Sequence, residues 1–217
     1  MSMTAIAHTN NLLRTVLHTE TRPDVIGRIA PDIVQVRQAV ERHLDVLRAS
    51  HAPSALHCER VGRLAASMSV ELGMDMDAIE SVYHAALLHD IGKAAIDTAL
   101  LDAPRKLTAT EKVHVDRHAA LGAAMLTGDS ALGRLAHVVE HHHDRYEHGG
   151  SAIPLAARII AVVDAWDAMV TPRPYAGPIP HAAAADELDR FAGTQFDPDL
   201  VDTFLAMVES PRLQLSA

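Results

Sequence analysis

The chain is poor in cysteine, in aromatic residues and in positive charge. Cys58 is the one cysteine among 217 residues, which excludes an internal disulfide and fits a cytoplasmic location. No uncharged apolar run approaches the roughly 18 residues of a membrane helix, so no membrane span is expected. The first twenty residues lack a basic stretch followed by an apolar core, and they do not read as a signal peptide. Lysine and arginine total 19 against 28 acidic residues, a formal net charge of −9. That balance excludes a broad electrostatic grip on nucleic-acid backbones and leaves room only for a local positive pocket around a small phosphate. Phe, Tyr and Trp together make up 3% of the chain, whereas histidine occurs 15 times. Histidine is the commonest metal ligand, so its positions decide what the excess means. The rest of the composition, 48% hydrophobic and 22% charged, is that of an ordinary globular protein.

Strand signals are missing too. There is no Asn-Gly hairpin, no alternating pattern and no internal repeat. The apolar spacing is helical over 5–18, 31–48, 53–72 and from Asp75 or Asp77 to His89. Thr108 and Glu111 form a capping box for a helix running to about Leu126 and ended by Gly128. Further helices are expected from Ser130 to the histidine run, from Pro154 through Met169, and over 181–192 and 197–208. The run ARIIAVV resembles a buried strand, but its Ala- and Met-rich continuation favours helix. The expected class is all-α, a bundle of about eight or nine helices. Four prolines between Thr171 and Pro180 make a rigid loop.

The sharpest local feature is His89-Asp90-Ile91-Gly92-Lys93, after an apolar AALL. It sets an imidazole beside a carboxylate at a helix end, with Gly92 to turn the backbone and Lys93 to add a cation. The plain alternative is a helix C-terminus with a capping glycine and a favourable lysine. Asp164 is harder to dismiss, because a carboxylate in an apolar segment is costly unless paired or metal-bound. Asp167, three residues on, reads as a surface or supporting group. His57, His118 and the run His141–His142–His143 complete the candidates. His114 has little support, and His8, His18, His43, His51 and His181 read as solvated. Mixed imidazole and carboxylate donors suit iron, manganese, zinc or nickel, and not calcium. Seven donors exceed what one tetrahedral zinc takes, so two ions are the economical reading. Two ions can clamp a phosphoryl group from both sides. Cys58 faces away from His57 and is expected to be buried and without a role.

The order of these motifs resembles the HD phosphohydrolase superfamily, and within it the HD-GYP subgroup of cyclic di-GMP phosphodiesterases. The resemblance spans 53–208. It rests on H-x-x-R-V at 57–61, AALLHDIGK at 85–93, LT-x-x-E at 107–111 and H-x-x-x-G at 118–122. It continues with HH-D-R-Y at 142–146, IPLAARIIAVVDAWDAM at 153–169, RPY at 173–175 and GTQFDPDLV at 193–201. It implies an HD-domain helical bundle over 51–217, preceded by a helical extension over 1–50. It also implies that His57, His89, Asp90 and Asp164 hold one ion and His118, His142 and His143 the other, with Asp90 between them. Lys93 would hold a phosphate, and Arg173 would contact the nucleotide. His141 would stand outside the ligand set.

The resemblance further implies two divalent ions, iron or manganese first and zinc or nickel second. The substrate implied is a small cyclic dinucleotide, with cyclic di-GMP foremost. The reaction implied is attack on phosphorus by a hydroxide shared between the ions, with Asp90 and Lys93 as the catalytic pair. Partners implied are that nucleotide and a second copy or a signalling protein. Two departures stand out. No Gly-Tyr-Pro tripeptide follows HHHDRYEHGG, so that loop looks shortened. Position 53 is proline, where members with three metals have a glutamate, which favours two metals here. Hydrolysis of another nucleotide or of a phosphomonoester, or a binding or regulatory module without turnover, are the competing functions.

Overall fold

The computed structural model describes residues 31–172 and 177–210. Every regular element among them is helical, and the lone β-bridge joins Ala192 to Phe196. Nine helices have eight residues or more: α1 (Pro31–Ser50), α2 (Ala52–Glu71), α3 (Met76–Leu88), α5 (Ala109–Asp116), α6 (His118–Thr127), α7 (Gly133–Glu140), α9 (Leu155–Val170), α10 (His181–Arg190) and α11 (Pro198–Glu209). Two four-residue helices, α4 (Thr98–Leu101) and α8 (Tyr146–Gly149), and two 3₁₀ turns, Ile91–Ala95 and Gly150–Ala152, fill the connections. The all-α expectation holds. The expected helix over 5–18, together with His8, His18 and Arg173, lies outside the described residues.

Helix starts follow local chemistry. Asp75 caps α3 by accepting from the Ala78 amide at 2.8 Å. Thr108 and Glu111 close the capping box of α5, each side chain accepting from the other's amide. Gly73, at φ +71°, ends the α2–α3 junction in the left-handed region that favours glycine. The helix expected to run from Thr108 to Leu126 is two helices. It breaks at Arg117, and α6 sets off from His118. Tertiary packing wins over propensity there, because α6 must turn to lie against the 3₁₀ turn and α7. His51 is not solvated, contrary to expectation. It caps α2, its Nδ1 meeting the Ser54 hydroxyl at 2.8 Å while Nε2 meets Asp102 at 3.1 Å. His43 is also half-buried, bonded to the Ala39 carbonyl at 3.0 Å. His181 is exposed, its ring near Trp166.

The core is continuous across the bundle. Val36, Val40, Leu44 and Leu47 of α1 bury their stripe in the same cluster as Val61, Met68, Leu88, Leu135, Ile160 and Phe204. Each such side chain contributes roughly 1.5–3 kcal/mol on burial. The apolar run of α9 is helix, with Ile159, Ile160, Val162, Val163 and Trp166 inside. Helices α2, α3, α6, α7 and α9 meet at one end of this core, and each brings polar side chains to that junction.

Candidate metal centre

Five imidazoles and two carboxylates converge there. His57 comes from α2, and His89 and Asp90 from the end of α3. His118 opens α6, His142 and His143 follow α7, and Asp164 sits in α9. His57, His89, Asp90, His118 and His142 are buried, while His143 stands at the rim with its ring part-buried against His118. Donor atoms of His57, His89 and Asp90 lie within 4.8 Å of one another, as do those of His118, His142 and His143. Asp90 joins the two groups. Its Oδ2 is 3.5 Å from His89 Nε2 and 3.8 Å from His57 Nε2, and its Oδ1 is 3.1 Å from His118 Nε2. Asp164 Oδ1 lies 2.9 Å from His57 Nε2.

One local device orients three of the rings. His89, His118 and His142 each direct Nδ1 at the carbonyl three residues back, Ala86, Val115 and Val139, at 2.7, 2.8 and 2.6 Å. His57 directs its Nδ1 at Asp167 Oδ2 instead, at 2.7 Å. Committing Nδ1 as the donor fixes the tautomer and leaves Nε2 as the inward atom. Asp167 is itself gripped by Arg60, whose Nε and Nη2 donate to its two oxygens at 2.7 and 2.9 Å. Asp167 is thus neither a surface group nor a donor to the centre; it positions His57.

Not all the inward atoms are satisfied within the protein. His89 Nε2 and Asp90 Oδ1 are buried with no hydrogen bond. His118 Nε2 faces His142 Nε2 at 3.4 Å and His143 Nε2 at 3.2 Å. With Nδ1 of His118 and His142 already donating, those lone pairs converge on one another, which is unfavourable without a cation between them. The donor set therefore fits bound metal.

Charge states agree with this. Burial lowers His89, His142 and His143, which stay neutral and ready to ligate. Burial works against the charge on Asp90, yet Lys93, His89 and His118 hold its carboxyl well below the usual range. Asp164 is likewise lowered, by His57 against the cost of burial. Burial opposes the charge on His57 too, but Asp164 and Asp167 overcome it and raise the ring to about 9. Lys93 Nζ donates to Asp90 Oδ2 at 2.5 Å.

Gly92 serves the site by close approach. Its φ is not in the left-handed region, so the sharp turn expected of it is not what requires glycine. A Cβ there would stand 2.0 Å from the His118 carbonyl oxygen and 2.6 Å from the Gly122 amide nitrogen. Gly122 returns the fit, since a Cβ on it would lie 3.2 Å from Gly92 N. The H-x-x-x-G spacing at 118–122 and the Gly of the HD motif are two halves of one contact, which brings Asp90 to His118.

Beside the centre a cleft of about 240 Å³ opens between His57, Arg60, Lys93, Arg105, Leu107 and Thr171. It lets a ligand reach Lys93 from solvent. Sequence reasoning gives Arg60 no role beyond its motif and leaves Asp167 between a surface and a supporting group; the fold makes it supporting. Their signals are the arginine three residues after His57, one helical turn on, and an aspartate one turn after Asp164.

Comparison with known proteins agrees with the geometry. A family profile described as HD domain matches residues 38–200. A Thermotoga maritima protein named cyclic di-GMP phosphodiesterase is 34% identical over 160 residues, covering 70% of this chain and 44% of the relative. A Vibrio cholerae protein named 3'3'-cGAMP-specific phosphodiesterase 2 is 30% identical over 162 residues, covering 70% of this chain and 29% of that one. The chain thus spans less than half the length of these relatives. Among solved structures, Bd1817 of Bdellovibrio bacteriovorus, described as an HDG"Y"P protein, superimposes with a TM-score of 0.59 at 15% identity, covering 94% of this chain and 70% of that one. That likeness is one of fold. A profile match running from α1 into α11, laid over a helical bundle that draws a His-Asp pair and four further histidines to one point, places this chain in the HD domain family.

Proposed function

We propose that the chain is a metal-dependent phosphodiesterase that opens a cyclic dinucleotide, with cyclic di-GMP as the first substrate to test. The observation that carries this reading is the set of inward Nε2 atoms arranged around Asp90, those of His89, His118 and His142 on rings whose Nδ1 is committed to a backbone carbonyl. In this reading His57, His89, Asp90 and Asp164 would hold one divalent ion and His118, His142 and His143 a second, with Asp90 serving both. With Asp90 shared, each ion has four protein donors and room for water and substrate, so iron and manganese, which take more than four ligands, are the first metals to test and zinc or nickel the second. Bound there, such ions would supply Lewis acidity and a hydroxide at neutral pH.

The chain's own residues do the rest. Asp167 and Arg60 hold the His57 ring in register. Asp90 gives its charge to the centre, which frees the Lys93 ammonium to face a phosphate oxygen in the cleft and to offset charge that develops on it. Arg60 and Arg105 also line the cleft, each paired with a carboxylate, Asp167 and Glu111. Arg173 is assigned to substrate contact; the residue before it, Pro172, lines the same cleft. Residues 51–217 are taken as the catalytic unit and 1–50 as its extension. No helix among the described residues is long and apolar enough to cross a membrane, and a cytoplasmic role fits the lone, buried thiol of Cys58.

A second reading keeps the chemistry and changes the substrate. The chain runs from α8 through Gly150–Ala152 directly to Pro154, with no Gly-Tyr-Pro. A pocket left wider by that short connection suits another nucleotide, including a mixed cyclic dinucleotide. The test is an HPLC time course with protein loaded anaerobically with Fe(II) or Mn(II). Linear dinucleotide from cyclic di-GMP, absent with Asp90→Ala, supports the first reading. Turnover of cyclic GMP-AMP alone supports the second. No product from either, with metal present, overturns both.

A further inference from the structure

A second cluster of metal-binding side chains lies outside this centre. His137, Glu140 and His141 place their donor atoms within 4.8 Å of one another at the C-terminal end of α7. They follow the spacing i, i+3, i+4, which puts all three on one helix face. The His137 and His141 ring centroids are 4.4 Å apart. His137 and Glu140 are exposed and make no hydrogen bond or ion pair among the described residues. His141 is different. Its Nδ1 is bound to Asp144 Oδ2 at 2.7 Å, which fixes the ring and leaves Nε2 as its ligating atom. A carboxylate behind an imidazole is the arrangement that orients histidine toward a metal. The buried centre takes the next two residues, His142 and His143, and leaves His141 unused.

We propose that His137, Glu140 and His141 form a second, solvent-facing site for a divalent transition-metal ion of the zinc, nickel or copper class. Two imidazoles and one carboxylate exclude magnesium and calcium as preferred occupants. Ligand bonds of about 2.0–2.2 Å bring donors closer than 4.8 Å, and exposed side chains make that adjustment by rotation. The remaining coordination positions open to water. The net charge of −9 favours arrival of a cation. This site stands independently of the phosphodiesterase reading, because it shares no donor with the buried centre.

The test is zinc content per chain after equilibrium dialysis against micromolar free zinc, read by elemental analysis. Four proteins are compared: the full chain, His137→Gln, Glu140→Gln, and Asp90→Ala. The expected result is one zinc equivalent fewer in His137→Gln than in the unmodified chain, and weakened retention of that equivalent in Glu140→Gln. Asp90→Ala is expected to lose metal from the buried centre and keep the outer equivalent. Equal zinc content in the unmodified chain, His137→Gln and Glu140→Gln overturns the proposal, whatever Asp90→Ala does. Failure of the buried centre alone shows instead as undiminished zinc in Asp90→Ala beside the one-equivalent loss in His137→Gln.

Discussion

Replacing Gly92 by alanine tests how the two halves of the centre are held together. The added Cβ would meet three backbone atoms: His118 O at 2.0 Å, Gly122 N at 2.6 Å and His118 C at 2.9 Å. None of these is a flexible side-chain end, so neither partner can rotate away. Ordinary contact begins near 3.4 Å, and the 3₁₀ turn and α6 must separate by about 1.4 Å. Asp90 lies two residues before Gly92, and His118 is the residue struck. The separation therefore falls on the 3.1 Å approach of Asp90 Oδ1 to His118 Nε2. Metal sites tolerate only about 0.2 Å in ligand distance. Gly92→Ala is expected to lose the ion on the His118 side and to slow turnover by 100-fold or more, the scale of an ångström misplacement. Overpacking of this kind costs about 1–3 kcal/mol. That corresponds to a Tm lower by about 2–4 °C per kcal/mol at this size. Metal content by elemental analysis and thermal melting check both. Gly73→Ala is the control: it strains a left-handed residue with nothing within 4 Å, and it should lower Tm while keeping all metal. A Gly92→Ala protein with unchanged Tm and full metal content would show that this contact does not hold the two halves of the centre together.

Other outcomes follow from the same geometry. Lys93→Ala should keep both ions yet slow hydrolysis by about 100-fold, seen in kcat with metal content measured in parallel. Asp167→Asn should weaken metal affinity by about 10–100-fold, because His57 and Arg60 both lose a carboxylate; chelator competition measures it. Metal uptake at neutral pH should release a proton. The His57 ring is held charged up to about 9 in the metal-free protein, and a metal takes its Nε2. Affinity should accordingly rise with pH until about 9, and calorimetry in two buffers of different ionisation enthalpy counts the proton.

Much of this is legible in the sequence, and the parts that are not share one cause. The His-Asp pair, the spaced histidines and Asp164 stand out because polar ligands are costly in apolar helices unless a partner or a metal offsets their burial. The helix ends at Asp75, Thr108 and Gly73 are written in local chemistry. The break at Arg117 is not, since it answers to the packing of α6 against the turn that carries Gly92. Gly92 itself reads as a turn residue; its role is contact with a helix that begins 26 positions later in the chain. Asp167 and Arg60 lie 107 residues apart and only the fold makes them partners. His51 resembles a surface histidine in the sequence, and only the placement of α2 and Asp102 gives it two bonds.

The central claim is that Asp90 sits between two ions. Crystals grown with Mn(II) and measured at the manganese absorption edge address it directly. Two anomalous peaks are expected, one among His57, His89, Asp90 and Asp164 and one among Asp90, His118, His142 and His143. A single peak, or none with the side chains ordered as described, would contradict it.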